Sequence, residues 1–251
     1  MKSFVTIFRS KAFMFTLMIG LFLTSFLIIV AMLLGNQSGN FVIQVENGDV
    51  NKSISITDDE EDRVYTNMLT VEGMSGMSNT TPRAFLGGTK YQQQITTLKE
   101  ISSTLGRQVV GSSGDRESGA FVYTFYIINT GGTAVNVKLN MTFSNVTNEL
   151  DNAIRVLTYN ENDEELHIYQ KPDDQKPQGG SYQYYPTVLE SFESNTSIYT
   201  EKMFISGTSI DGELPKIKYT VIFWIEGQDP ECDERLYNGT IKFGLDISVE
   251  N

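Results

Sequence analysis

The chain has 251 residues, with 19 Lys and Arg against 31 Asp and Glu, and its formal net charge at pH 7 is −12. This excess of negative charge repels phosphate backbones and anionic lipid, so it excludes nucleic-acid binding through a general electrostatic field. A single cysteine, Cys232, excludes an intrachain disulfide, so the chain has to rely on its hydrophobic core.

A membrane-spanning segment is predicted close to the N-terminus. Residues 12–34 form an uncharged apolar run, which as a helix is long enough to cross the roughly 30 Å hydrocarbon core of a bilayer. Three basic residues precede the run and all acidic residues follow it. The positive-inside rule therefore predicts a cytoplasmic N-terminus at 1–11, a transmembrane signal-anchor at 12–35 and an extracellular domain at 36–251. A cleaved signal peptide is the alternative, although the run is long and lacks a small-x-small cleavage site.

Two short strands and one amphipathic helix are predicted in the first half of the domain. Apolar residues at 41–46 predict a strand, and the polar–apolar alternation at 53–57 predicts a second, half-buried strand. Further on, apolar residues recur at spacings of three and four before Gly106, at Tyr91, Ile95, Leu98, Ile101 and Leu105. This stripe predicts a helix with one apolar face, packed on the edge or end of a sheet.

The longest strands are predicted from residue 120 onward. Residues 120–129 are rich in aromatic and β-branched side chains, and residues 134–143 alternate between apolar and polar. The linker Thr130-Gly131-Gly132-Thr133 between them predicts an antiparallel hairpin. A helical turn is predicted at 147–152 and an exposed loop at 170–186. The remaining strands are predicted at 154–159, 164–169, 198–206, 217–226 and 240–249.

About eight strands at hairpin spacing, with few helices, predict a mainly β fold. The expected architecture is an antiparallel, jelly-roll-like β-sandwich with a short amphipathic helix, in addition to the membrane helix. Within it, Phe125, Ile127, Leu139 and Trp224 are predicted to share one sandwich core.

The most distinctive stretch of the sequence runs from Val221 to Cys232, where a strand ends in Trp-x-Glu-Gly and Asp-Pro-x-Cys follows. With the next strand, it resembles the terminal hairpin of exported Gram-positive proteins related to camelysin and the biofilm-fibre protein TasA. The Phe-x-hydrophobic-x-Asn-x-Gly pattern at 125–131 is also similar to that group. The resemblance implies a tethered jelly-roll domain, and in its fibre-forming members an N-terminal strand completes the neighbouring subunit. Residues 41–45 are therefore expected either to close their own domain or to pair with another copy.

Few residues of the sequence are candidates for metal binding or nucleophilic catalysis. Glu226 and Asp229 are the candidate ligands of a calcium site, because hard cations favour converging oxygens, and no other metal or cofactor is expected. Turn stabilisation by Asp229 is the favoured alternative. His167 is the single histidine, which leaves too few nitrogen and sulfur ligands for zinc, while a nucleophilic Cys232–His167 pair is left open by spacing alone.

The sequence predicts a non-enzymatic surface protein, since it has no nucleophile-elbow, zinc-protease or P-loop motif. The expected function is that of a membrane-anchored extracellular structural or interaction protein of the bacterial cell surface, which assembles into or attaches to surface or biofilm-matrix fibres. Its expected partners are the membrane, through residues 12–34, and a second copy or another surface protein. The alternative is a tethered ligand-binding or hydrolytic ectodomain, in which Tyr182, Tyr184 and Tyr185 would line a pocket.

Overall fold

The computed structural model describes residues 41–45, 54–59, 66–73, 77–88, 90–111, 119–162, 164–172, 185–209 and 212–250. The contacts between residues group Asn40–Asn251 into one unit. The predicted membrane segment at 12–34 lies outside the described residues. Among the helices that are described, none is long and apolar enough to cross a membrane. Most of the predicted loop at 170–186 also lies outside them.

Strands dominate the described part of the chain. Its strands are β1 (Phe41–Val45), β2 (Ile54–Thr57), β3 (Met68–Val71), β4 (Gly106–Val110), β5 (Ala120–Asn129), β6 (Val135–Ser144), β7 (Ile154–Asn160), β8 (Glu165–Gln170), β9 (Leu189–Ser191), β10 (Ser197–Ile205), β11 (Lys216–Ile225) and β12 (Lys242–Glu250). Its helices are α1 (Pro82–Leu86), α2 (Tyr91–Ser102) and α3 (Leu150–Ala153), with one 3-10 turn at Glu234–Leu236. The predicted mainly β fold is thus confirmed.

The strands form two mixed sheets. Sheet A has the order β10–β6–β12–β1–β3, and sheet B has the order β2–β5–β11–β7–β8–β9, with β4 also paired to β5. Neighbouring strands are antiparallel except for two parallel pairs, β1 with β12 and β8 with β9. The expectation of a wholly antiparallel arrangement is therefore wrong. The chain enters sheet A beside its own last strand and in the same direction, which makes the sheet mixed.

The two sheets face each other across a shared core, and the helices cover the outer face of sheet B. Alternate residues of β5 point to opposite sides, so Phe125 and Ile127 lie between the sheets while Val122 lies under the helices. Leu139 of β6 reaches the same inter-sheet core from sheet A. Three predicted core residues thus share one cluster. The strict alternation of β6 also fits a strand with one buried and one wet face.

The predicted amphipathic helix is present as α2. Ile95, Leu98 and Ile101 of its apolar stripe are buried, whereas Tyr91 is 50% exposed. The stripe packs on the face of sheet B and not on an edge or end of a sheet, because β5, β7 and β11 present a second apolar surface there. Both faces of these central strands are consequently buried.

Trp224 belongs to the helix-side cluster, so its predicted place in the inter-sheet core is wrong. Neighbouring side chains of β11 point to opposite faces, and Phe223 takes the inter-sheet side. The Trp224 ring packs edge-on to Phe85 of α1, with 5.2 Å between the ring centroids. Trp224 is fully buried, as predicted, but it packs between the helices and sheet B and not between the two sheets.

The predicted hairpin between β5 and β6 is also wrong, because β5 lies in sheet B and β6 in sheet A. The linker 130–133 is an arch that crosses between the sheets. The buried Asn129 organises it: its Nδ2 donates to the carbonyls of Thr133 at 2.6 Å and Ser206 at 2.9 Å. Its Oδ1 accepts from the Gly131 amide at 3.0 Å. The segment between β11 and β12 likewise crosses between sheets, so it is not a hairpin.

Candidate functional site

The distinctive stretch after Trp224 forms a turn that is hydrogen-bonded to two other parts of the chain. The Glu226 amide donates to the carbonyl of Ala153 at 2.8 Å, and the Gly227 amide donates to the carbonyl of Thr80 at 2.9 Å. The Thr80 amide also donates to the carbonyl of Ile225 at 2.8 Å. The Asp229 carbonyl then accepts from the amide of Cys232 at 3.0 Å, which closes the turn. The turn is therefore a junction between the end of β11, α3 and the segment before α1.

Glu226 sits at the centre of this junction and is fully buried. Its Oε2 accepts hydrogen bonds from the Trp224 Nε1 at 3.2 Å and from the Tyr185 hydroxyl. Its Oε1 accepts from the Gln228 amide at 3.1 Å. Both carboxylate oxygens thus have protein donors, as a buried carboxylate requires. The indole N–H of Trp224 gains the acceptor that burial makes necessary.

Asp229 forms a buried ion pair with Arg155 of β7. The side chains are 0% and 1% exposed, and Arg155 Nη2 donates to Asp229 Oδ2. Arg155 Nη1 also donates to the carbonyls of Asn152 at 3.2 Å and Ile154 at 3.0 Å. The other oxygen of Asp229 accepts from the Glu231 amide at 2.8 Å. The charges of the pair and both terminal nitrogens of Arg155 therefore have partners, as a buried pair requires, whereas the buried Arg155 Nε has no hydrogen-bond partner among the described residues.

The structure brings Glu226 and Asp229, the predicted calcium ligands, into one buried turn. Asp229 has the predicted alternative role, because its side chain accepts a backbone amide within the turn. Within the described residues, no group of three or more His, Cys, Asp or Glu side chains is placed to hold a metal ion. Calcium prefers six to eight oxygen ligands, and here an arginine already neutralises Asp229. The calcium site stays a prediction, and binding would have to displace Arg155.

His167 and Cys232 have different partners. His167 Nδ1 lies 2.7 Å from Glu190 Oε1, on the sheet B strands β8 and β9. Cys232 is half-buried, and its sulfur accepts from Asn79 Nδ2 at 3.6 Å. Burial raises the pKa of the Cys232 thiol, which disfavours the thiolate that a nucleophile needs. The structure therefore gives no support to a nucleophilic Cys232–His167 pair.

Of the three tyrosines suggested as pocket residues, Tyr182 and Tyr184 lie outside the described residues. Tyr185 is described, and its hydroxyl is bound to Glu226. Burial and the adjacent carboxylate raise the pKa of Tyr185 well above its usual value, so it acts as a neutral donor. Tyr185 thus helps to close the junction around Trp224.

A second polar group, which sequence reasoning missed, lies between the sheets. The hydroxyls of Tyr199 and Tyr219 are 2.9 Å apart, and Tyr219 donates to Glu201 Oε2 at 2.5 Å. Burial raises the pKa of both tyrosines well above the usual value. Tyr199 also stacks on Tyr169, with 4.8 Å between the ring centroids. No local pattern could reveal this group, since its members come from three strands in two sheets.

Comparison with protein-family models, with curated proteins and with solved structures gives no match for this chain. The contacts at the two sites indicate a structural role for the residues that form them. At the junction, every named carboxylate oxygen is occupied by a donor from the protein. The tyrosine group is enclosed between the sheets. Both sites are suited to fixing strands and turns in place.

Proposed function

We propose that the chain is a single-pass, membrane-anchored structural or interaction protein of the bacterial cell surface, with a jelly-roll-like β-sandwich on the extracellular side. The uncharged run at 12–34, with basic residues before it and an acidic domain after it, supports this location. The partial resemblance to the camelysin/TasA group supports it too. Consecutive strands that cross between sheets, as β5 to β6 and β11 to β12 do, support the jelly-roll-like arrangement.

The observation that carries the proposal is the position of β1, the first described strand. β1 lies inside sheet A, between β12 and β3, and not at an edge. Phe41, Ile43 and Val45 on this strand are buried in the inter-sheet core. A terminal strand of this kind can pair with β12 and β3 of its own chain or with the same strands of a second copy. Exchange of β1 is the proposed route by which copies join into surface or biofilm-matrix fibres.

Deleting residues 40–47 from the soluble segment 36–251 tests whether β1 completes the core and whether another molecule can supply it, which exchange requires. Without β1 the core between the sheets is open, so we expect the cooperative urea transition and the defined gel-filtration peak to be lost. A synthetic peptide of residues 40–47 should restore both, because β1 is then supplied by another molecule. The same peptide with Ile43→Asp serves as the matched control and should restore neither. If the domain without residues 40–47 stays folded and does not bind the peptide, the proposal is contradicted.

Electron microscopy and gel filtration of the intact segment 36–251 complete the test. If β1 is exchanged, higher-order species should form on concentration and should disappear when excess 40–47 peptide is added. A monodisperse monomer under all conditions would count against self-assembly and leave attachment to another surface protein as the role of the domain.

The alternative function, a tethered ligand-binding or hydrolytic ectodomain, receives less support. Glu226 and Asp229, the two carboxylates that meet at the junction, are buried and bonded to donors of the protein. A glycoside hydrolase of the common type needs two carboxyl groups that flank the scissile bond. The acidic residues at the junction instead hold one turn in place.

A further inference from the structure

The pairing of the first and last described strands has a mechanical consequence. β1 and β12 are parallel, with Val42 opposite Gly244 and Val45 opposite Ile247. One end of sheet A therefore carries Phe41, where the chain enters from the N-terminal side. The opposite end carries Glu250, where β12 finishes. At about 3.3 Å per residue these two points lie roughly 23 Å apart along the strand direction.

We propose that β1 is a force-bearing joint, which holds the domain to the N-terminal segment when the two are pulled apart. A pull on Phe41 and an opposite pull at the Glu250 end slide β1 along β12. All backbone hydrogen bonds of the ladder then carry the force together. If β1 and β12 are instead both pulled at the Phe41 end, in opposite directions, the same hydrogen bonds open one after another. The proposal rests on the proposed membrane anchor, since the anchor supplies the point that is held.

Two further features oppose sliding of β1. The strand has a second ladder on its other side, where Phe41 pairs with Val71 and Gln44 with Met68 of β3. Its buried side chains also interlock with sheet B: the Phe41 ring packs edge-on to Phe223, with 5.3 Å between the centroids, and to Tyr123, with 6.0 Å between them. Any slip must therefore break two ladders and withdraw an aromatic ring from the core.

Single-molecule force spectroscopy of the full chain in detergent tests the joint. Handles are attached through engineered cysteines in a Cys232→Ser background. In the sliding geometry the handles are at Asn40→Cys and at a cysteine added after Asn251. In the opening geometry they are at Asn40→Cys and Asn238→Cys. Residue 238 lies at the Phe41 end, because its neighbour Tyr237 accepts a hydrogen bond from Asn148, just beyond β6.

We expect the unfolding force in the sliding geometry to be at least about twofold higher than in the opening geometry, because forced unfolding depends on the barrier along the pulled direction. Equal forces, or a lower force in the sliding geometry, would overturn the proposal. Urea unfolding of both cysteine variants confirms that their equilibrium stability is the same.

Two matched variants separate the joint from overall stability. Ile43→Ala removes a fully buried side chain from β1, and Leu98→Ala removes one from α2 on the far face of sheet B. Ile43→Ala should lower the force in the sliding geometry, whereas Leu98→Ala should leave it nearly unchanged. If Ile43→Ala does not fold, Ile43→Val gives the same comparison with a smaller effect. An equal loss of force in both variants would overturn the proposal.

These measurements do not depend on where the protein resides. A low unfolding force in the sliding geometry, for a protein that is displayed on the cell surface, would refute only the proposal that β1 bears force. A strong joint in a protein found inside the cell would refute the proposed function and leave the joint as a property of the fold.

Discussion

At the scale of single residues, Trp224 joins the packing of α1 on sheet B to the hydrogen bonds of the junction. Trp224→Ala removes a fully buried ring from between α1 and sheet B, and it also removes the donor to Glu226. We expect the free energy of unfolding to fall by about 3 to 5 kcal/mol in urea titration. Trp224→Phe keeps most of the ring, so it should cost clearly less. A loss below about 1 kcal/mol for Trp224→Ala would contradict the buried position.

Because Arg155 and Asp229 form a buried ion pair, the losses of unfolding free energy caused by replacing each residue should be strongly non-additive. Arg155→Met or Asp229→Leu alone leaves one buried charge without its partner and should cost about 3 to 5 kcal/mol. The double variant leaves no unpaired charge, so its loss should be well below the sum of the two. A double-mutant cycle by urea unfolding measures the difference. Additive losses would mean that the pair does not interact as the geometry indicates.

At the scale of elements, the arch between β5 and β6 depends on Asn129. Asn129→Ala leaves the carbonyls of Thr133 and Ser206 without their donor, and should cost about 2 to 3 kcal/mol of unfolding free energy. Asn136→Ala, at an exposed position of β6, is the control and should cost less than about 0.5 kcal/mol. Similar losses in the two variants would show that the arch is held by something else.

The strands that the sequence predicted well have a clear local pattern. β5 was predicted with its observed bounds, and β6 within one residue, because their side chains alternate or are buried along the whole strand. β3, β4 and β9 were missed as strands. They are short and mostly half-exposed, and their pairing comes from longer neighbours.

What the sequence could not supply is the assignment of strands to sheets. Alternation shows that one face of β6 is buried, but an arch and a hairpin both satisfy that pattern. The same ambiguity placed Trp224 on the wrong face of sheet B, since its strand is apolar on both sides. The candidate site was found in part: Glu226 and Asp229 were singled out, but their partners Tyr185 and Arg155 are distant in sequence.

At the scale of the whole molecule, the proposed topology places everything after residue 35 outside the cell. Protease added to intact cells should therefore digest the domain, at first in exposed connections such as the one near Val188, which is 71% exposed. Lysed cells are the control for full digestion, and a cytoplasmic protein should stay intact in whole cells. Complete protection of the domain in intact cells would contradict this topology.

If the chain is exported as proposed, the pairing of β1 with β12 also sets the order in which sheet A can form. Gln44 donates to Asp246 at 2.7 Å across a separation of 202 residues, so sheet A cannot be completed until the last strand has emerged from the translocation channel. Until then β1 and β6 have unpaired edges, and contacts this distant in sequence form slowly. A stalled or truncated chain would therefore remain a substrate for quality-control proteases at the outer face of the membrane.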